Sequence, residues 1–317
     1  MLIYYTDHFV LPLPAGHRFP MRKYAALRER VASVAPAIMR VPPSATNTEL
    51  ERVHDSSYVA EVCRGTLDAR AMKRIGFPWS PAMIERSRRS AGATIAACRS
   101  ALRTGCGVNL AGGTHHAHRG HGEGFCVFND AAVAARAMQA EALCARVLIV
   151  DLDVHQGDGT AEIFAGDASV FTFSLHGRNN FPFRKHGSDL DVELDDATED
   201  AAYLATLGVT LPRALEQSRP ELAIYLAGAD PFHGDRLGKL ALTKAGLAAR
   251  DRCVLGTLRN AGIPVAIAMA GGYADNIDDI VDIHFTTVAL ALELWGHDAS
   301  GNTSISKPRV RPRLAAA

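Results

Sequence analysis

Residues 146–160 read RVLIVDLDVHQGDGT, and the change of character midway through them sets the fold. Val147 to Val150 is an uninterrupted, largely β-branched apolar run, the composition of a strand buried on both faces. Strands of that kind belong to parallel sheets covered by helices. Asp151, Asp153 and His155 follow at i, i+2 and i+4, so an extended backbone would project all three to one side. Three ionisable groups are costly to bury without a partner, and the C-terminal edge of a parallel sheet is where α/β folds bind ligands.

Outward from this stretch the same alternation repeats. Strand candidates are LIYY (2–5), GVNLAGG (107–113), SVFTFSLH (169–176), LAIYLAGAD (222–230) and PVAIAMAGGY (264–273). Helical periodicity fills the intervals: Pro20 to Val34, a long helix from Ser80-Pro81 to a stop at Gly105, one after Asn129-Asp130, Ala201 to Gln217 with a kink expected at Pro212, one after a Thr243 cap, and Asn276 to Trp295. This predicts an α/β fold, a three-layer αβα arrangement with a mainly parallel central sheet. No stretch of linker composition interrupts it, so residues 1–297 are expected to form one domain. Residues 298–317 lack periodicity and read as a frayed tail whose Lys307, Arg309, Arg311 and Arg313 are solvated.

Of the 317 residues, 48% are hydrophobic, enough for a sizeable core, and Lys+Arg and Asp+Glu both number 34. A balanced charge supplies no whole-molecule field toward nucleic acid or an anionic membrane, and neither is expected as a partner. The 6 cysteines contain no CxxC pair, which argues against a disulfide framework and a thiolate zinc site and points to a reducing cytoplasm. There is no signal-peptide pattern at the start and no run of ~18 apolar residues for a membrane span.

Chemistry collects at the strand ends. Asp230 closes LAIYLAGAD, and with Asp153 and His155 it makes a mixed imidazole and carboxylate set that leaves positions open, as a catalytic metal requires. Zinc suits this set; Fe(II) or Mn(II) would also be held. Residues 112–130, GGTHHAHRGHGEGFCVFND, carry His115, His116, His118 and His121. On a glycine-flanked loop His115 and His116 can both reach one pocket, one taking a proton while the other balances charge, or the two can serve as a second pair of metal ligands. His118 and His121 are expected to face solvent. Tyr273, after two glycines, can donate to a developing oxyanion or simply pack.

In their order along the chain, GGTHHAHRGHGEGFCVFND, DLDVHQGDGT, FSLH, AGADPFHGDRLG and AGGYADN resemble the histone deacetylase superfamily, zinc amidohydrolases with an arginase-like αβα fold. The GGTHHA form and the IGFPWSP stretch (75–81) are most similar to the class IV branch and its bacterial relatives. The resemblance implies Asp153, His155 and Asp230 as zinc ligands, His116 as general base and then acid, and His115 as the charge-tuning partner. It makes Tyr273 the oxyanion donor, with Asp151 orienting His115 and Asp158 orienting His116. Asp151, Asp153 and Ser174, with the carbonyls of His155 and Leu175, match the family's inner monovalent-cation site, usually potassium. Gly124 and Phe125 would line one side of an acyl-lysine slot and Phe181 the other, with Phe183 either a second candidate for that wall or part of the core. Cys126 would be a small buried residue rather than a nucleophile.

The implied reaction is hydrolysis of an Nε-acyl-lysine-type amide. RIGFPWSP (74–81) offers no rim carboxylate of the kind many deacetylases use to clamp a peptide, which leaves an acetylpolyamine or other small acylamine as an alternative substrate. A binuclear manganese ureohydrolase would need a second set of ligands, and nothing in the sequence demands a non-catalytic acyl-lysine binding module, since every catalytic position the resemblance carries over is filled by the expected residue. His54, Asp55 and Tyr58 read as structural, docking an early helix.

Overall fold

The computed structural model describes residues 1–296, so the expectations for the C-terminal tail lie outside the described residues. In chain order the elements are β1 (Leu2–Tyr4), α1 (Arg22–Ala32), β2 (Met39–Arg40), α2 (Asn47–Glu51), α3 (Ser56–Arg64), α4 (Ala69–Ile75), α5 (Pro81–Thr104) and β3 (Cys106–Asn109). Then come α6 (Asp130–Ala140), β4 (Val147–Asp151), α7 (Asp158–Phe164), β5 (Val170–Gly177), β6 (Leu190–Leu194) and α8 (Asp200–Ser218), followed by β7 (Leu222–Leu226), α9 (Lys244–Asn260), β8 (Val265–Ala268) and α10 (Ile277–Trp295). The strands form one sheet in the order β2-β1-β3-β8-β7-β4-β5-β6. Every pairing is parallel.

β4 shows why three layers form. Its residues are all buried, and alternate side chains enter opposite cores. Leu148 and Val150 join Leu207 and Leu211 of α8 and Val254 of α9, whereas Val147 and Ile149 join Ala97 of α5 and Ala134 and Met138 of α6. Burying each such aliphatic side chain contributes about 1.5–3 kcal/mol. The α5 layer sits close because its inner face is rich in alanine, and a Cβ on Gly107 of β3 would collide with the carbonyl of Ala97.

Local signals hold these elements in place. Ser80 Oγ accepts from Met83 N at 3.1 Å, Pro81 starts α5, and Gly105 ends it at φ 84. Asn129, Thr243 and Asn276 cap α6, α9 and α10. Pro212 lies inside α8, which runs on to Ser218. α1 starts at Arg22 rather than at Pro20. The edge strands β6 and β2 and the short helices α2 to α4 escape the sequence reading, because none carries a long apolar run or a sustained helical period. β6, LDVEL, is buried only at its ends.

Candidate active site

Loops that follow the C-terminal ends of β3, β4, β5, β7 and β8 line one cavity of ≈ 820 Å³. After Asp151 the backbone bends, so strand alternation does not extend through His155 as the spacing suggested. The bend turns Asp151 toward His115 and brings Asp153 and His155 to Asp230 from the loop after β7. The donor atoms of Asp153, His155 and Asp230 all lie within 4.8 Å of one another, and all three residues are buried.

Backbone amides hold this trio. Asp153 Oδ1 accepts from His155 N at 3.0 Å and lies 2.9 Å from His155 Nδ1, while Asp153 Oδ2 accepts from Gly271 N at 2.7 Å. Asp230 Oδ1 accepts from Val154 N at 2.9 Å. Asp230 Oδ2, fully buried, lies 3.3 Å from His155 Nδ1 without a well-formed hydrogen bond among the described residues. Burial, and then the charge of Asp153, push the Asp230 carboxyl up to about 7. Two crowded carboxylates, one with an oxygen lacking a well-formed hydrogen bond, and an imidazole make a donor set that fits a divalent cation. A Cβ on Gly271 would overlap both carboxylates, so only glycine leaves this wall open.

His115 and His116, on the loop after β3, are buried with ring centroids 4.1 Å apart. His115 Nδ1 lies 2.7 Å from Asp151 Oδ2, and His116 Nδ1 lies 2.6 Å from Asp158 Oδ1. Burial opposes charging His115, but Asp151 and Asp153 outweigh it and raise it to about 9. Burial, and next the neighbouring His115, lower His116 to about 4. Burial also works against the Asp158 anion, yet contacts from His116 and His118 hold its carboxyl well below the usual carboxylate range. The adjacent rings are therefore pushed in opposite directions: the carboxylates favour a proton on His115, whereas burial beside His115 disfavours one on His116 and leaves its Nε2 to accept.

Tyr273 lines the same cavity after Gly271 and Gly272. Burial, then Asp153 and Asp230, push its phenol well above the usual range, so it stays a proton donor. Three residues not singled out from the sequence fix its loop. Asp235 Oδ2 accepts from Tyr273 N at 2.6 Å, Arg236 Nε donates to Tyr273 O at 2.8 Å, and buried Lys23 donates to Gly272 O at 3.1 Å. Asp235 was visible in AGADPFHGD, but nothing local signals that Lys23 of α1 reaches a loop so distant in the chain.

Gly124 and Phe125 line the cavity and both adopt left-handed backbone, φ 55 and 66. Glycine takes that conformation without strain, and a Cβ at Gly124 would come 2.8 Å from the His116 ring. Phe125 N donates to Ile75 O at 2.8 Å, and Phe19 and Phe77 pack on its ring at 5.4 Å each, a wall the sequence reading missed. Phe181 lines the same cavity, edge-on to His116 at 4.9 Å. Phe183 is 87% exposed at the cavity mouth, so it is not core. Burial raises the Cys126 thiol well above its ordinary value, which leaves it unreactive.

Register puts Asp151 of β4 beside Ser174 of β5, so Ser174 and Leu175 adjoin the bend that carries Asp153 and His155. His118, expected at the surface, is buried at 5% exposure because the loop folds inward against Asp158 and α7. His121 is half-buried. His54 has the structural role expected: Nδ1 lies 2.8 Å from His118 O, and Nε2 accepts from Asn129 N at 3.0 Å, tying the histidine loop to the start of α6. Tyr58 Oη donates to Val127 O at 2.8 Å.

The fold and these motifs coincide with what comparison finds. A family model, the histone deacetylase domain, matches residues 17–288. An uncharacterized protein of Picosynechococcus sp. is 47% identical over 286 residues, covering 89% of this chain and 95% of that protein. Histone deacetylase 2 of Arabidopsis thaliana is 30% identical over 256 residues, covering 75% of this chain and 66% of the plant protein. The crystal structure of the HDA15 HD domain superposes with a TM-score of 0.77 at 26% identity, covering 94% of this chain and 93% of that one. The chain belongs to the histone deacetylase family. Among the described residues, no helix is long and apolar enough to cross a membrane.

Proposed function

We propose that this chain is a zinc-dependent amidohydrolase that cleaves Nε-acyl-lysine-type amides to a carboxylate and a free amine. The observation that carries the reading is the meeting of Asp153, His155 and Asp230 on the same cavity as the His115–Asp151 and His116–Asp158 pairs. Zinc held by Asp153, His155 and Asp230 would supply Lewis acidity to the amide carbonyl and to the attacking water.

The chain's own residues do the rest. His116, neutral and oriented through Nδ1 by Asp158, takes the water's proton at Nε2 and returns it to the leaving amine. His115, held through Nδ1 by Asp151, balances charge beside the reacting carbonyl. Tyr273 donates its phenolic hydrogen to the carbonyl oxygen as charge develops there. Phe125 and Phe181 flank the methylene stem of the lysine, with Gly124 leaving room for it. A potassium ion at Asp151, Asp153, His155, Ser174 and Leu175 would temper the basicity of the neighbouring carboxylates and imidazoles.

Charge at the cavity mouth favours acyl-lysine over an acetylpolyamine. Arg18, Lys73, Arg74 and Lys239 are exposed there, against Glu123 among the lining residues outside the buried trio. A polycationic substrate would be repelled by that rim. Metal content measured alongside hydrolysis of acyl-lysine peptides of graded acyl length and of acetylated polyamines tests the proposal. Zinc near one equivalent at the trio with peptide turnover supports it; no turnover of any acylamine by the zinc-loaded protein overturns it.

A further inference from the structure

We propose a second binding site for a divalent transition-metal ion, built by His118, His121 and Glu123 and separate from the Asp153–His155–Asp230 trio. The donor atoms of the three residues lie within 4.8 Å of one another. Their spacing, H-x-x-H-x-E, gathers two imidazoles and a carboxylate from six residues of one loop. Two further carboxylates surround them: Asp158 Oδ2 is 3.4 Å from His118 Nε2, and Glu162 Oε2 is 3.6 Å from His118 Nδ1. Glu123 Oε2 is 3.7 Å from His121 Nε2.

Two features argue for a cation. Among the described residues, no Lys or Arg side chain forms an ion pair with Glu123, Asp158 or Glu162, so imidazoles are the only side chains that balance the charge of the three carboxylates. The two rings also lie nearly parallel, 11° apart in plane and 4.3 Å between centroids, an arrangement that both rings becoming protonated would oppose. A metal ion would balance the carboxylates in place of the proton that they favour on His118. Mixed nitrogen and oxygen donors suit Zn²⁺, Ni²⁺ or Co²⁺ rather than Mg²⁺ or Ca²⁺.

The loop is already held in the shape the site needs. His118 N donates to His121 O at 2.8 Å, Asp55 N to Arg119 O at 2.9 Å, and Glu123 N to Cys126 O at 3.0 Å. The Arg119 guanidinium donates to Ile163 O at 2.9 Å, and Glu162 Oε2 accepts from Arg119 N at 3.1 Å. Ligands fixed before binding lose little conformational entropy on it. His121 and Glu123 are half-buried, which gives the ion a route in, while buried His118 forms the floor.

Stoichiometry of the full-length protein tests the site apart from any turnover. Metal-free protein is dialysed against micromolar free Zn²⁺, and bound zinc is counted for wild type, Asp230→Asn, and the pair His121→Gln with Glu123→Gln. Circular dichroism certifies each fold. Wild type should hold two equivalents and each variant one, with the zinc retained by Asp230→Asn binding at least tenfold more weakly once His121→Gln is added. One equivalent in wild type and none in Asp230→Asn overturns this site and leaves the proposed hydrolase centre intact. One equivalent in wild type that survives Asp230→Asn but is lost with His121→Gln and Glu123→Gln supports this site while removing that centre. Should the paired variant fail to fold, Co²⁺ absorption of Asp230→Asn decides: ligand-field bands support the site, and a spectrum of free aqueous Co²⁺ overturns it.

Discussion

On the loop between β3 and α6, His115 and His116 each hold a buried carboxylate through Nδ1, at 2.7 and 2.6 Å. Two residues after His116, His118 begins a second pair in which it stacks on His121, with carboxylate contacts of 3.4 to 3.7 Å. Asp158 touches both pairs, giving Oδ1 to His116 and Oδ2 to His118. The difference lies in what surrounds each ring. A tight, single carboxylate partner sets the tautomer and aims the other nitrogen into the cavity, whereas loosely shared carboxylates leave the outer pair available to a ligand.

The sharpest way to break this comparison is to remove one member of each pair. His116→Ala should lower kcat/KM on an acyl-lysine peptide by about 10³-fold, within the range for a lost general base, and His121→Gln should change it by less than about threefold. Equal losses would erase the distinction between the pairs. Tyr273→Phe comes next: turnover should fall by about 10²–10³-fold, as for other oxyanion donors, with bound zinc unchanged. Near-native turnover in that variant would take Tyr273 out of the mechanism.

Asp158→Asn probes the residue the pairs share. An outer-shell carboxylate of this kind carries about a 10–100-fold effect, and here it should appear in kcat more than in KM, because substrate contacts remain. An unchanged rate would mean that His116 keeps its orientation without Asp158.

The smallest effect sharpens the contrast from the opposite side, with a buried histidine that meets no carboxylate hydrogen-bond partner among the described residues. Both ring nitrogens of His284 lack a hydrogen bond among the described residues, and it is 1% exposed. Burial, then Lys23 and Arg250, hold its pKa well below the usual imidazole value. The folded chain keeps it neutral while the unfolded chain takes up a proton near pH 6.5, so the unfolded state binds more protons and stability falls as pH drops below that value. The loss at pH 5.5 should be on the order of 1 kcal/mol. His284→Leu should remove that part of the decline in urea midpoint between pH 7.5 and 5.5; an undiminished decline would assign it to other groups.

Much of this was legible in one dimension. Val147 to Val150 announced a doubly buried strand, Ser80-Pro81 and Gly105 bounded the longest helix, and DLDVHQGDGT with a distant Asp230 marked the three side chains whose donor atoms meet in the cavity. Apolar period and capping chemistry are local properties, so the chain alone determines them. Side-chain environment is not local. Whether His118 meets water or Asp158, whether Phe183 is core or mouth, and which distant lysine holds the Tyr273 loop depend on how separate segments pack. Only the folded sheet, which brings five strand ends to one edge, decided which carboxylate each imidazole meets and which pair is left with carboxylates to share.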